Sequence, residues 1–385
     1  MITIIHFSQD FEKSKPQLGG FSRIYNICCD GNKHIIFTID KDSDEIATWM
    51  LRHNITVVAI PLHGKAFSRI QQVKYHKIIV VQITKWLKEN KVKPDLLFGH
   101  SQLVNYFILS SVRRDFVQLK LIWELNAIWG IHSAKGVVQK LFNRMVVLLQ
   151  KKVLHRANYI IAQTEASKQY VVKHFAAKPD KISVIRNAIQ ADDANPLPSY
   201  KMAKPFRILC FGLFDKMNGI PFLLDSVTGK LDGYEIDFYG NGAYINQVKA
   251  KSHLGLINYQ GTLPREEMML QLKTYDFVII PRLPEIEADL YIPTKLIECM
   301  ANGVIPICSD VNGMTEVVED GVNGFVFKAG CKKALHELLL RISSLAPEEL
   351  LNIKQEAIAT VRQKYMWDEK HIELNTIYKL LLNQS

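Results

Sequence analysis

One stretch of the chain, Pro281 to Asp310, constrains the fold more than any other. Pro293 suits the start of a helix, because the N–H that proline lacks is not needed in the first turn. Apolar residues with helical spacing follow, Gly303 marks the end of the helix, and the apolar run Val304 to Cys308 predicts a buried strand. The free N–H groups at a helix start favour an anion. The stretch therefore predicts an α/β unit with an anion site.

Four charged side chains surround this predicted helix start, and two explanations for them remain open. Lys295 and Glu298 are three residues apart, so they share one side of the helix. They could form a solvated ion pair on an ordinary helix. They could instead contact a bound anion, together with Arg282 and Asp289.

Buried strands alternate with helical patterns in both halves of the chain. Ile2 to His6 and Asp95 to Gly99 are predicted strands of the first half, and Arg207 to Phe211 and Asp276 to Ile280 of the second. This alternation predicts doubly wound parallel sheets. The segment Ala191 to Pro205 is rich in Asp, Asn, Pro and Ala and is interpreted as a linker. A chain of 385 residues is long enough for two domains.

The composition indicates a soluble globular protein with an anionic partner. The net charge of +10 suits a nucleotide, a lipid surface or a nucleic acid. No zinc-finger spacing or aromatic RNA-binding pattern is present, so we expect no nucleic acid. The six cysteines have no metal or redox spacing, which predicts a reducing compartment. The N-terminus shows no signal-peptide pattern and no apolar run is long enough to span a bilayer, so we expect a cytoplasmic protein.

The first half of the chain contains a basic segment, Lys135 to Arg156, that has no acidic residue. Its interleaved apolar residues predict one or two basic amphipathic helices. Such a helix could pack its apolar side on the core. It could instead contact an anionic membrane, where each basic residue contributes about 1 kcal/mol. The basic residues are Lys135, Lys140, Arg144, Lys151, Lys152 and Arg156.

The stretch from Pro281 to Asp310 resembles the donor-site segment of retaining family-4 glycosyltransferases, which have the GT-B fold. The usual family pattern has an acidic residue where Leu290 stands here. Asp289, one position earlier, resembles a subgroup variant that has Pro-Arg ahead of it and a Lys after the proline. The residues that match the family in order are Pro293, Glu298, Ala301, Gly303, Pro306, Ser309 and Asp310.

The resemblance extends from Ile2 to the last predicted helix, Met366 to Leu382. It implies two Rossmann-like domains facing each other across a cleft. Residues 1–190 would bind the acceptor and residues 204–365 the nucleotide-sugar, with the C-terminal helix, 366–385, crossing back to the first domain. The enzyme would move a sugar to a glycan or lipid-linked glycan, as in bacterial surface polysaccharide synthesis, at the inner face of the cell membrane.

The resemblance also implies roles for particular residues. Glu298 would accept hydrogen bonds from the ribose hydroxyls, and Asp289 would contact the sugar or the ribose. The other predicted contacts are the diphosphate ligands Gly19, Gly20, Lys216, Arg282 and Lys295, and the donor-site residues Gly212, Gly240, Thr262, Leu263 and Thr294.

The sequence departs from the family where the diphosphate should bind. The family often has an Arg after the glycine that corresponds to Gly212, and a Lys a few positions later; Leu213 and Asn218 stand there instead. A buried diphosphate without cations would be costly, so we predict that Lys216, Arg282 and Lys295 replace them. No Asp-x-Asp metal site follows a strand, so we expect neither a metal ion nor a cofactor.

His100 ends a predicted strand, in the run D-L-L-F-G-H. The run resembles the family's D-x-x-H-x-H, whose last histidine faces the transferred sugar. His100 would then position that sugar; the other explanation is a strand-end histidine bonded to backbone. With His100, the predicted catalytic residues are Arg282, Asp289 and Lys295.

Two other classes of function remain open. A nucleotide-sugar epimerase or phosphorylase can share this fold and would need no acceptor surface. A non-catalytic subunit that binds a sugar nucleotide is the other class. It would explain why Leu213, Asn218 and Leu290 stand where the family has charged residues. Release of free nucleotide with and without acceptors separates these classes.

Overall fold

The computed structural model divides the chain into two compact units. The first contains residues up to Ile185 and those from Lys370 onward, and the second contains Arg186 to Glu369. The structure describes residues 1–8, 19–39, 54–60, 62, 69–100, 102–131, 136–191, 194 and 202–383.

The first unit is built on a seven-stranded sheet with the strand order β3-β2-β1-β4-β5-β6-β7, and all neighbouring strands are parallel. The strands are β1 (Thr3–Phe7), β2 (Lys33–Ile39), β3 (Ile55–Ile60), β4 (Leu96–His100), β5 (Lys120–Leu125), β6 (Tyr159–Ala162) and β7 (Ile182–Val184). The helices are α1 (Gly19–Ile27), α2 (Arg69–Glu89), α3 (Leu103–Asp115), α4 (Val137–Arg156) and α5 (Glu165–Phe175).

The second unit is built on a six-stranded parallel sheet with the order β10-β9-β8-β11-β12-β13. The strands are β8 (Phe206–Leu213), β9 (Tyr234–Asn241), β10 (Asn258–Gly261), β11 (Phe277–Ile280), β12 (Ile305–Ser309) and β13 (Phe325–Phe327). The helices are α6 (Ile220–Ser226), α7 (Ile245–His253), α8 (Arg265–Leu272), α9 (Ile286–Leu290), α10 (Thr294–Ala301), α11 (Asn312–Thr315), α12 (Lys332–Ser344) and α13 (Pro347–Lys364). The C-terminal helix α14 (Trp367–Asn383) follows them in the chain.

The predicted fold class is confirmed in both units. The central strands β11 and β12 are buried at every position, as expected for a parallel sheet covered by helices on both faces. The predicted return of the last helix is also confirmed, since α14 begins in the second unit and most of it belongs to the first. Within the first unit, His371 on α14 contacts the carbonyl of Asn26 at 2.7 Å.

The predicted strand boundaries differ from the observed ones by one or two residues, and two helix starts differ as well. The helix α1 begins at Gly19, two residues before the start that its apolar pattern predicts at Phe21, so the glycine pair forms its first turn. Pro293 is the cap residue before α10, with an extended ψ of 134°. Both differences follow from the free N–H groups of a helix start, where neither glycine nor proline forfeits an internal hydrogen bond.

From Val137 onward the basic segment forms one helix, α4, that is only partly covered, while Lys135 lies outside the described residues. Gln150, Val153 and Leu154 near its end are buried. Among the described residues of α4, full burial is therefore limited to the last turns. Within the described part of the chain, no helix is long and apolar enough to cross a membrane. Six apolar side chains of α4 are at least half exposed: Val137, Val138, Leu141, Phe142, Met145 and Leu148.

Candidate functional site

The second sheet has a topological switch point between β8 and β11. These strands are neighbours in the sheet, although β9 and β10 lie between them in the chain. Open α/β sheets bind ligands at the carboxyl ends of such strands. Gly212 lies at the end of β8, and Arg282 follows β11. Two of the predicted site residues are therefore at the expected place in this sheet.

The glycines at this edge permit a close approach of the ends of β8 and β9. Gly212 has a φ of +111° and Gly240 a φ of +145°. A Cβ atom on Gly240 would lie 1.9 Å from the carbonyl oxygen of Gly212. A Cβ on Gly242 would lie 2.5 Å from the carbonyl oxygen of Phe214. The Gly-Asn-Gly turn therefore needs glycine for steric reasons, quite apart from any ligand.

Lys295, on α10, places its ammonium at the end of β8. Its Nζ donates to the carbonyl of Phe211 at 3.1 Å and to Asn218 Oδ1 at 3.3 Å. It also lies 3.6 Å from the position that a Cβ of Gly212 would take. Burial lowers the pKa of Lys295, and the charge of Arg282 lowers it further. Lys295 thus supplies a cation beside Asn218, one of the two positions where the family pattern has one.

The guanidinium of Arg282 is buried and only partly hydrogen-bonded. Nη1 donates to the carbonyl of Tyr291 at 3.0 Å. Nε is buried without a hydrogen-bond partner among the described residues. Burial lowers the pKa of Arg282 to about 10, while Asp215 and Glu287 oppose that change, so the side chain stays charged at neutral pH. A buried N–H without a partner is costly, and an anionic ligand would satisfy it.

Lys216 is held differently from the other two predicted cations. Its Nζ lies 2.9 Å from Glu285 Oε1, and about two-thirds of its side chain is exposed. An exposed ion pair of this kind contributes little and opens easily. The structure therefore brings Arg282 and Lys295 to the switch point and leaves Lys216 in solvent.

The two predicted carboxylates both have protein partners. Glu298 accepts from Arg265 Nη2 at 2.7 Å, and Asp289 accepts from the backbone N–H of Asn312 at 2.9 Å. The sequence does not predict the ion pair between Glu298 and Arg265. The two residues lie on different helices, α10 and α8, and no sequence motif connects them. A carboxylate has several lone pairs, so these contacts leave acceptor capacity for a ligand.

Three further predicted residues lie near the ends of β10 and α10. Thr262 is exposed and Leu263 is half-buried, directly after β10. Leu263 packs against the core beside this sheet. Thr294 is the first residue of α10, where backbone N–H groups have no partner within the helix.

His100, in the first unit, is buried, and its ring is hydrogen-bonded to two other side chains. Its Nδ1 lies 2.6 Å from Glu124 Oε2, and its Nε2 lies 2.9 Å from His6 Nδ1. Both ring nitrogens thus have protein partners, and neither partner is backbone. Asn126 also donates to Glu124 Oε2, at 3.0 Å. Sequence reasoning missed His6 and Glu124, which lie on other strands and carry no motif.

Among the described residues, one group of potential metal ligands is close together: His6 Nε2, Cys28 Sγ and His34 Nδ1 lie within 4.8 Å of one another. The two nitrogens are 2.8 Å apart. Two nitrogens on one tetrahedral zinc ion would be roughly 3.3 Å apart, given metal–nitrogen bonds of about 2.0–2.1 Å. The observed distance fits an N–H···N hydrogen bond instead.

Comparison with known protein families matches both units. Residues 31–193 match the family described as Glycosyltransferase Family 4, and residues 205–344 match Glycosyl transferases group 1. The amylovoran biosynthesis glycosyltransferase AmsK of Erwinia amylovora is 27% identical over 172 residues, which cover 43% of this chain and 42% of that protein. The glycosyltransferase MJ1178 of Methanocaldococcus jannaschii is 21% identical, over 82% of this chain and 92% of its own length.

Solved structures show the same fold. Sucrose-phosphate synthase from Thermosynechococcus elongatus superposes with a TM-score of 0.81 at 14% identity, over the full length of both chains. Anabaena HepE, solved with UDP and glucose, gives a TM-score of 0.74 at 17% identity, over 98% of this chain and all of that one. These likenesses show the GT-B fold, and the two matched families, which together cover most of the chain, show that it belongs to the glycosyltransferases, with a family-4 domain in its first half and a group-1 domain in its second.

Proposed function

We propose that this protein is a retaining glycosyltransferase that moves a sugar from a nucleotide-sugar to a glycan or lipid-linked glycan in bacterial surface polysaccharide synthesis. One observation carries the proposal. The ammonium of Lys295 and the buried guanidinium of Arg282 lie at the switch point of the second sheet, and the Nε of Arg282 has no hydrogen-bond partner within the described residues. The polysaccharide context comes from AmsK, and the nucleotide from the UDP that HepE binds.

The two cations suit the chemistry of this transfer. As the bond between the sugar and the diphosphate breaks, negative charge grows on the leaving diphosphate. Fixed donors that face this charge lower the barrier, and they do so most effectively where water is excluded. Arg282 and Lys295 would act in this way. Neither a metal ion nor a cofactor has a part in the proposed reaction.

A nucleotide panel tests the donor assignment. Calorimetric titration with UDP, GDP and ADP should show binding of one of them, and the corresponding nucleotide-sugars should then be screened for release of free nucleotide. Release that rises with a glycan acceptor supports a transferase. Release that needs no acceptor favours the epimerase or phosphorylase alternative, and binding without release favours a non-catalytic subunit.

We expect Glu298→Gln to weaken nucleotide-sugar binding about tenfold. The carboxylate would make charge-assisted hydrogen bonds to the ribose hydroxyls, and these exceed neutral hydrogen bonds by roughly 1 kcal/mol. Glutamine can keep the bond to Arg265, so the fold should be unchanged. Glu285→Gln, which loosens the exposed pair with Lys216, is the matched control. Unchanged donor affinity in Glu298→Gln would remove this residue from the site.

The exposed part of α4 supports a second proposal, that this surface contacts an anionic membrane. Val138 is 83% exposed and Leu141 63% exposed, beside the exposed cations Lys140 and Arg144. Basic amphipathic helices with such a face lie in the headgroup region of membranes. A lipid-linked acceptor would be presented at the same surface. Exposed apolar side chains and positive charge together favour an anionic lipid surface over a neutral partner.

Vesicle flotation tests the α4 surface. The protein should float with phosphatidylglycerol-containing vesicles in low salt and dissociate in high salt, because surface charges are screened within about 10 Å at 0.1 M. The triple variant Lys140→Glu, Arg144→Glu, Lys151→Glu should lose binding. A control with the same change in charge, Lys85→Glu, Lys88→Glu, Lys93→Glu, should keep most of it. If both triple variants lose vesicle binding equally, the net charge of the protein explains the binding and the α4 surface has no specific role.

A further inference from the structure

Three buried histidines of the first unit form a continuous chain of hydrogen bonds between two carboxylates. Asp30 Oδ1 is 2.8 Å from His34 Nε2, and His34 Nδ1 is 2.8 Å from His6 Nε2. His6 Nδ1 is 2.9 Å from His100 Nε2, and His100 Nδ1 is 2.6 Å from Glu124 Oε2. All five side chains are buried. We call these five residues the histidine chain.

The sheet explains why the histidine chain is continuous. His6 is paired with Ile36 on β2 and with Phe98 on β4, and His100 is paired with Glu124 on β5. Side chains alternate between the two faces of a strand, so the histidines and Glu124 point to one face. The chain of hydrogen bonds therefore crosses four adjacent strands within the interior of the unit.

Both ends of the histidine chain accept hydrogen bonds. Burial alone would raise the pKa of Glu124, but the charge of Arg23 and the bond from His100 lower it to about 2. Burial likewise opposes ionisation of Asp30, but His34 lowers its pKa, and Asp30 Oδ1 also accepts the N–H of Asn32 at 2.9 Å. Both groups are carboxylates at neutral pH. The outer nitrogens, His34 Nε2 and His100 Nδ1, must therefore both carry a proton.

The number of protons then exceeds what neutral rings can supply. Four hydrogen bonds join the five groups, and each needs one proton. The carboxylates supply none, and three neutral imidazoles carry one proton each. With three protons, one contact between rings would bring two lone pairs face to face at 2.8 or 2.9 Å. One more proton removes this conflict.

The balance of buried charges around the histidine chain also requires one additional proton. Arg23 lies 2.5 Å from Glu124, so among the described residues two buried carboxylates face a single guanidinium and one negative charge remains. An uncompensated buried charge is costly, and one imidazolium would neutralise it. In the described part of the unit, the other titratable groups against the histidine chain are Cys28, Cys29 and Tyr378, and burial raises the pKa of each, so they stay neutral.

We propose that the histidine chain holds four protons, so that one of the two histidines bonded to a carboxylate, His34 or His100, is a permanent imidazolium in the interior of the first unit at neutral pH. The proposal does not depend on the transferase activity. It also assigns a state to His100: its Nδ1 is always protonated toward Glu124, and its Nε2 shares a proton with His6. His100 is thus fixed in one orientation at the carboxyl end of β4.

Imidazole 15N NMR of protein labelled at histidine tests the count. At pH 7 the wild type should show four N–H protons on the three rings of the histidine chain, with both nitrogens of one ring in the protonated range. Glu124→Gln should reduce the count from four to three. The glutamine oxygen can still accept from Arg23, while its NH₂ donates to His100 Nδ1, so three neutral rings complete the chain. Cys28→Ala should leave the count at four.

Two results would overturn the proposal. One is a wild type with three neutral rings, and the other is a stoichiometric metal ion in the purified protein that Cys28→Ala removes. Metal content is measured on the same samples. If Glu124→Gln does not fold, the count in the wild type still decides the question.

Discussion

Replacing Lys295 or Arg282 by methionine should lower kcat by about 100-fold. Each change removes a donor that faces the charge on the leaving diphosphate, and the loss of one such donor typically costs a factor of 100 to 1,000. Methionine keeps an unbranched apolar stem, so the packing at the end of β8 should be preserved. Steady-state release of free nucleotide, with the donor found in the nucleotide panel, measures the effect.

Lys216→Met is the matched control for these two variants. Lys216 was predicted as a diphosphate ligand too, but its ammonium is exposed and paired with Glu285. We expect less than a tenfold loss in this variant. If Lys216→Met loses activity while Arg282→Met and Lys295→Met keep it, the cations at the switch point do not replace those missing at Leu213 and Asn218. Thermal unfolding of all three variants separates lost activity from lost structure.

The two parallel sheets could be predicted because each strand carries its own signal. Short apolar runs such as Phe277–Ile280 and Ile305–Ser309 are buried on both faces, and glycine or proline bounds them. The positions of Gly212 and Arg282 at strand ends follow directly from that pattern. Loops at the carboxyl ends of parallel strands meet at one edge, so placing the strands also places the candidate site.

Side-chain partners could not be predicted, since they depend on packing between elements distant in the sequence. Arg265 on α8 donates a hydrogen bond to Glu298 on α10, and His6 contacts His100 only because β1 and β4 are neighbouring strands. The periodicity of α4 likewise indicates an apolar face but not what covers it. In the structure that face is covered near Val153 and open near Val138.

Arg23→Met should destabilise the first unit by about 3–5 kcal/mol, which is the usual consequence of leaving one member of a buried ion pair without its partner. The side chains of Arg23 and Glu124 are 3% and 0% exposed, so water cannot replace the lost guanidinium. Urea unfolding followed by circular dichroism measures the change. Lys85→Met is the control, because Lys85 pairs with Glu89 on the surface of the same unit, and we expect less than about 1 kcal/mol there.

The pH dependence of this loss identifies its cause. The folded state lowers the pKa of Glu124 from 4.5 to about 2, so its ionised pairing stabilises the fold above pH 4.5, and that contribution disappears as the pH falls toward 2. The difference between wild type and Arg23→Met should therefore be full at pH 7 and shrink below pH 4.5. Adding Glu124→Gln to Arg23→Met should recover most of the stability. Without Arg23, the glutamine oxygen is free to accept the proton of His100 Nδ1, so the imidazolium stays and balances Asp30. A deficit that is independent of pH and of Glu124→Gln would mean that Arg23 stabilises the unit by packing, with its charge contributing little.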